Sequence, residues 1–321
     1  MKKRTWILFF ACTVIISGCS QSSSSPEDDY PSDTIEIITP FAPGGSTDTA
    51  ARIFESHLSE NLPNNQNVIV DNRPGGQTTV GMTAIQNAEP DGYTIGFASN
   101  SPITTQPHLS DTEYDYDSFE PIIQLVDIPQ VLMANHDSEL EDFDDLLEFM
   151  EENPGDFTYS TPGNGSISDI AMLSFLSEAE LEAEAIPYES GGDAVTAALG
   201  GEVDAVSTFQ GNVDADQVNT LVQFSEETSE MNEGVPTLEE GGIDTSTEAY
   251  IGIVAPEGVP QEIVDTLHDA FEQTLEDPEV QEQLLDLHYD ISYGTGEEFG
   301  QNLEEDYFEH EELLREAGQI E

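Results

Sequence analysis

Basic residues are what this sequence most lacks. Six Lys and Arg stand against 67 Asp and Glu in 321 residues, a formal net charge of −61. Three of the six are Lys2, Lys3 and Arg4; beyond them only Arg52, Arg73 and Arg315 remain. Such a chain repels a phosphate backbone, which excludes nucleic acid as a partner. A phosphate-binding loop that needs a Lys after its glycines is excluded too, and nucleotide hydrolysis with it. Cysteine is equally scarce. Cys12 and Cys19 are the only two, and once a leader containing Cys12 is removed no intramolecular disulfide can form. Catalytic signatures are missing: there is no G-x-S-x-G elbow, no H-E-x-x-H pair and no EF-hand spacing. No catalytic residue, cofactor or resident metal is expected. Acidic pairs such as Asp115/Asp117 and Asp144/Asp145 read as solvated surface.

The acids that are present are spread along the chain rather than packed into a tail. Their mutual repulsion destabilises a compact state in dilute buffer. In about 1 M salt the screening length falls to about 3 Å and the repulsion is largely removed. The composition therefore points to an extreme halophile. Disorder, the other state of a very acidic chain, is opposed by regular apolar strands and amphipathic helices throughout.

The first residues, MKKRTWILFFACTVIISGCS, place three bases before an apolar run and small residues before Cys19. This is the pattern of a secretory signal peptide over 1–18. Ile-Ser-Gly-Cys resembles a lipobox, in which the Cys becomes the lipidated first residue. The apolar run from Trp6 to Ile16 is too short for a comfortable membrane span. Residues 19–33, rich in Ser and acid, read as a flexible tether. The expected location is the outer face of the cytoplasmic membrane, held through a lipid on Cys19.

Roughly 290 residues remain, more natural for two lobes than for one core. Apolar strands alternate with amphipathic helices, so the expected class is α/β, with mainly parallel sheets flanked by helices. Strands are expected at 35–39, 68–71, 94–98, 122–126, 131–134, 158–160, 185–187, 205–208, 220–224 and 251–255. Helices are expected at 47–61, 77–88, 142–152, 167–179, 191–200, 260–276, 278–286 and 296–317. In the 260–276 helix, Ile263, Val264, Leu267, Phe271 and Leu275 share one face and read as core. The chain is expected to cross between lobes near 127–130 and return near 248–252. That assigns 34–128 plus 250–321 to one lobe and 129–249 to the other.

Three segments repeat one design of strand, Gly-rich turn and helix: 34–58, 67–85 and 157–176. In the first, PFAPGGSTD (Pro40–Asp48), Pro43-Gly44-Gly45 turns the chain, Ser46 or Thr47 caps the helix and Asp48 sits in its first turn. In the third, Gly163–Ser168 (GNGSIS) precedes another helix. Unpaired backbone N–H groups at such a helix start, with the positive end of the dipole behind them, make an anion site that needs no Lys or Arg. Arg52 and Arg73 each lie beside a Gly-rich turn. They read as braces of those turns through ion pairs with Asp48 or Asp71.

Taken together, the motifs resemble the extracytoplasmic solute receptors of tripartite tricarboxylate transporters, the Bug-type receptors. The residues that carry the resemblance are Pro40–Asp48, Ala51-Arg52, Val70–Gly76 (VDNRPGG), Pro90–Thr94 (PDGYT), Asn153–Gly155, Ser160–Ser166 (STPGNGS), Pro187-Tyr188 with Gly191-Gly192, Gly200–Asp204, Val235–Leu238, Gly252–Pro256 and Pro278. The resemblance implies a two-lobed, type II periplasmic-binding-protein fold. It further implies a small carboxylate, such as a di- or tricarboxylate, gripped between the lobes by backbone N–H groups. Delivery to a membrane permease of one large and one small subunit follows from the same likeness, and a monomer is expected. The site residues it implies are Phe41, Gly44, Gly45, Ser46, Thr47 and Asp48 from one lobe with Asn100 and Ser101. From the other lobe come Gly163, Asn164, Gly165, Ser166, Asp169 and Asp204. Three positions depart from the family: Asp169 stands for a His, Glu189 for a Lys and Tyr250 for a Trp. The alternatives left open are a ligand sensor for a two-component system and an exported hydrolase.

Overall fold

In the computed structural model, which describes residues 30–321, the strands fall into two separate sheets. The first half of the chain lays down β1 (Ile35–Thr39), α1 (Ser46–Asn61), β2 (Val68–Asn72), α2 (Thr79–Gln86) and β3 (Thr94–Ser99). The short helices α3 (Ser101–Thr104) and α4 (Gln106–Leu109) follow, then β4 (Phe119–Asp127). The middle of the chain supplies β5 (Gln130–Asn135), α5 (Phe143–Glu152), β6 (Thr158–Thr161), α6 (Ile167–Glu178), β7 (Glu184–Pro187), α7 (Gly191–Leu199), β8 (Ala205–Phe209) and β9 (Val218–Gln223). The chain closes with β10 (Tyr250–Pro256), α8 (Gln261–Leu275), α9 (Pro278–Leu285), β11 (Asp290–Thr295) and α10 (Gly296–Glu316). One sheet has the order β11-β4-β10-β3-β1-β2 and the other β7-β6-β8-β5-β9. The signal peptide, Cys19 and most of the 19–33 tether lie outside the described residues. No described helix is long and apolar enough to cross a membrane.

Both sheets are covered on both faces, and the period-2 alternation of their strands shows why. Ile35 and Ile37 of β1 enter the cluster that holds Phe54 of α1 with Leu267 and Phe271 of α8. Ile38 turns the other way, toward Met82 of α2 and Phe299 of α10. In the second sheet, Leu132 and Ala134 of β5 face Phe143 of α5 and Phe175 of α6. Val131 and Met133 face Ala194 and Ala198 of α7. The α8 stripe expected to be core is core: Ile263, Val264, Leu267, Phe271 and Leu275 are all buried.

The expectation of mainly parallel sheets needs correction. The pairs β1·β2, β1·β3, β6·β7 and β6·β8 are parallel. The pairs β3·β10, β4·β10, β4·β11, β5·β8 and β5·β9 are antiparallel. The βα units written in the sequence give the parallel pairs. The strands next to the two crossings run the opposite way and make the sheets mixed. Strand β11 escaped the sequence reading because Asp290, Ser292 and Gly294 leave few apolar residues to count, and its register on β4 is broken between Ile291 and Gly294.

The two crossings lie side by side. β4 ends at Asp127 in one sheet and β5 begins at Gln130 in the other. Ile128 N donates to Ala249 O at 2.6 Å on the returning segment. The end of α10 and the residues after it also lean on the second sheet's side: Ser177 Oγ donates to Glu316 Oε2 at 3.3 Å and Gln319 Nε2 to Asp169 Oδ2 at 3.0 Å.

Candidate solute site

A cavity of about 170 Å³ lies where the two sheets face each other, and no charged side chain lines it. Ser46 and Thr47 at the start of α1 form one wall with Ser99, Asn100 and Ser101 at the end of β3. Pro162, Ile167 and Ser168 around the start of α6 form the opposite wall, with Gln130, Thr208, Phe209 and Asn212. Ile128, Ala249 and Tyr289 close the floor.

The start of α1 is open toward this cavity for a local reason. Gly44 turns the chain at φ 87°, a conformation that only glycine adopts freely. Its N–H is taken by Asp48, at 2.8 Å to Oδ2. Asp48 also accepts from Arg52 Nε at 3.2 Å and Asn72 Nδ2 at 2.9 Å. Burial works against its charge, but the Gly44 N–H, Arg52 and Asn72 together hold the Asp48 carboxyl below the ordinary value. The N-cap, Gly45, brings no side chain to the helix end. The first-turn N–H groups of Ser46 and Thr47 are therefore left for whatever occupies the cavity.

The start of α6 repeats the device. Gly165 (φ 68°) donates its N–H to Asp169 Oδ2 at 2.9 Å. Ser166 caps the helix by accepting from Asp169 N. Ile167 and Ser168, the first helical residues, face the cavity. The Gly165 turn is pressed against the first sheet's side: its carbonyl accepts from Thr105 Oγ1 at 2.7 Å, and a Cβ there would sit 2.0 Å from Leu109 Cδ1.

Thus Ser46, Thr47, Asn100 and Ser101 of the expected site line the cavity. Phe41, Gly44, Gly45, Asp48, Gly163, Asn164, Gly165, Ser166 and Asp169 lie in or behind the turns that shape it. Asp169 is 1% exposed and turned back on its own loop and on Gln319; burial raises its carboxyl above the ordinary value against those two hydrogen bonds. Glu189 is exposed and stands outside the cavity. Asp204 is a correction. Its carboxylate accepts from Thr158 N at 2.8 Å and Oγ1 at 2.7 Å. That ties it to the start of β6, whereas the cavity lies beyond the end of that strand. Arg52 and Arg73 pair with Asp48 and Asp71, as the sequence suggested.

Sequence reasoning reached Ser168 through the Gly163–Ser168 turn but missed Tyr289, Gln130, Thr208, Phe209 and Asn212. Tyr289 bridges the two sides: its ring stacks on Phe209 with centroids 5.2 Å apart. Burial raises its phenol above the ordinary value, and hydrogen bonds with Ser46 and Thr47 offset part of that. Ser168 Oγ donates to Gln130 Oε1 at 2.6 Å. The missed residues carry no local motif.

A larger cavity, about 700 Å³, opens on the other side of the crossings and is the chemical opposite. Asp127, Glu226, Glu227, Glu248, Asp290, Glu305 and Asp306 line it and no base does. It repels anions, so its size does not make it the anion site. Burial, added to by neighbouring charges, raises Asp127 to about 6, Glu248 to about 7 and Asp306 to about 6. Raised carboxyl pKa values mean that the folded state holds protons which the unfolded chain has released. The stability from these groups is complete below about pH 4, the range of free carboxyls, and is lost as pH rises through the raised values. Buried His310, lowered to about 3, works the other way as pH falls below about 6.5, but three raised carboxyls outweigh one histidine, so the melting temperature in molar salt should rise as pH is lowered from 8 to 5. A melting temperature that is flat or falls over that range would contradict this reading of the cavity.

Among the described residues one trio, His268, Asp269 and Glu272, brings possible metal-ligand atoms within 4.8 Å of one another. It lies on α8 outside both cavities, and exposed acids commonly gather in this way.

Two lobes with a small uncharged cavity between them, and helix starts facing it from both sides, define a periplasmic solute-binding protein. The chain belongs to the tripartite tricarboxylate transporter family receptors, whose model matches residues 50–318. It is 28% identical to a TctC solute-binding protein from Polaromonas, covering 89% of this chain and 99% of that one with a TM-score of 0.78. The periplasmic binding protein BugD is 26% identical, with 91% and 99% covered and a TM-score of 0.75. A "UPF0065 protein" of Pseudomonas sp. strain P51 is 30% identical over 279 residues, 84% of this chain and 82% of that one. The family and these structural neighbours are solute-binding receptors and not enzymes.

Proposed function

We propose that this receptor closes its two lobes, 34–128 plus 250–321 and 129–249, on a small carboxylate and delivers it to a membrane permease of one large and one small subunit. The observation that carries the reading is the uncharged cavity faced by the starts of α1 and α6. Buried N–H groups at helix starts favour an anion, and hydrogen bonds to a charged group are among the stronger ones. A cation would be desolvated there with no counter-charge. Ser46, Thr47, Ser101, Ile167 and Ser168 hold the ligand in this reading, while Asp48 and Asp169 rigidify the turns. A volume below the roughly 300–1,000 Å³ of drug-sized pockets favours a short acid. The receptor acts as a monomer, tethered to the outer face of the membrane through Cys19.

The test is to purify the mature protein natively in molar salt, extract it and identify the released solute by mass spectrometry. A short-chain carboxylic acid in near-stoichiometric amount is expected. A sugar or an amine in that amount would overturn the assignment.

A further inference from the structure

The two crossings separate cavities of opposite character. Asp127, Pro129, Glu248 and Tyr250 line the acidic cavity, while Ile128, Gln130 and Ala249 line the solute cavity. Successive residues thus point to opposite sides, as in extended chain. The connections on which the lobes turn therefore run between the two cavities. A rotation about them that parts the walls of the solute cavity brings the walls of the acidic cavity together, and closing on a solute spreads them.

Both lobes wall the acidic cavity. Asp127, Asp290, Glu305 and Asp306 come from the first lobe; Glu226, Glu227 and Glu248 come from the second. No Lys or Arg lines it, and Arg52, Arg73 and Arg315 are paired elsewhere. Burial is the largest cause of the raised Asp127 and Glu248 carboxyls, and charges from the opposite lobe add to it: Glu227 acts on Asp127, and Asp127 and Asp306 act on Glu248. Molar salt screens exposed charges but reaches buried ones far less. On the solute side, by contrast, hydrogen bonds join the lobes, Thr105 Oγ1 to Gly165 O at 2.7 Å and Gln319 Nε2 to Asp169 Oδ2 at 3.0 Å.

We propose that the acidic cavity is an electrostatic spring: opening the solute cleft forces carboxylates of the two lobes together behind the crossings, and their repulsion biases the receptor toward closure. This rests on the two-lobe closure above and not on the identity of the solute. The spring raises the closed share of the solute-free protein, and with it the apparent affinity for any solute that binds the closed form.

The test is small-angle X-ray scattering of the mature protein in molar salt at pH 8, where Asp127 and Glu248, raised to about 6 and about 7, carry their charge. Glu226→Gln/Glu227→Gln removes two exposed charges from the second lobe's wall. Glu151→Gln/Glu152→Gln removes two exposed charges of the same lobe outside both cavities and is the control. The solute-free radius of gyration should be larger in the cavity variant than in the wild type and unchanged in the control. An equal or smaller radius in the cavity variant, or an equal increase in the control, overturns the spring and leaves the receptor reading intact. A wild type with the same radius as purified with its solute and after the solute is removed overturns the closing motion, and the spring with it. Should the double variant not fold, Glu227→Gln alone decides by the same comparison.

Discussion

Dialysed from molar salt into dilute buffer, the protein should lose its near-ultraviolet signal and its cooperative melt. Residues 30–321 contain three arginines and no lysine, and the arginines are already engaged. Arg52 pairs with Asp48 at 3.1 Å and Glu55 at 3.4 Å, Arg73 with Asp71 at 2.6 Å and Glu36 at 3.2 Å, and Arg315 with Glu311 at 2.6 Å. No lysine or arginine remains to offset the other acids. At about 0.1 M salt the screening length is about 10 Å, comparable to the spacing of neighbouring surface carboxylates; at about 1 M it is about 3 Å. On the halophilic reading, repulsion summed over such a surface should outweigh a folding free energy of about 5–15 kcal/mol. The loss should set in below about 0.5 M, where screening weakens. Circular dichroism and calorimetry across a salt series check this. A sharp melt in dilute buffer would contradict the halophilic reading.

How much of this was legible in the sequence depended on whether the information was local. The strands and longer helices were, because alternation in β1 or β5 and the stripe on α8 are properties of a few consecutive residues. So were Ser46 and Thr47, which follow a Gly-rich turn in the chain itself, whereas Asn100 and Ser101 came only through the family resemblance. The rest of the site was not. Tyr289 reaches Phe209 from about 80 residues away, and nothing near it in sequence marks it. The carboxylates that the resemblance placed in the site hold the fold together instead. Asp169 looked like a charge at a ligand-facing helix start, but a side chain at that position can turn back onto its own loop, and it does so to Gly165. Asp48 does the same to Gly44. Asp204 sits before β8, and only the pairing of β8 with β6 shows that this end of the strands is the one far from the cavity. The resemblance placed three acids, Asp48, Asp169 and Asp204, at the cleft. Folding sorts the acids instead, leaving the solute cavity uncharged and gathering seven carboxylates behind the crossings.

The second large effect is expected at Ser46. It is the first helical residue of α1, the position at which proline is most easily accepted because its ring suits the helix start. The preceding Gly45 is extended, with φ −78° and ψ 170°, the conformation that a residue before proline prefers. Ser46→Pro should leave the fold intact while removing the Ser46 N–H and hydroxyl from the cavity wall. A hydrogen bond to a charged group contributes about 1.5–3 kcal/mol, so affinity for a carboxylate should fall about ten-fold or more.

Paired calorimetric titrations of wild type and Ser46→Pro with the short-chain acid recovered by native extraction, both in molar salt and both checked for an unchanged melt, test the central claim most directly. Backbone donors at the helix start gripping a carboxylate predict clear binding by the wild type and a loss of about ten-fold or more in the variant. Equal affinity in two equally folded proteins would contradict it.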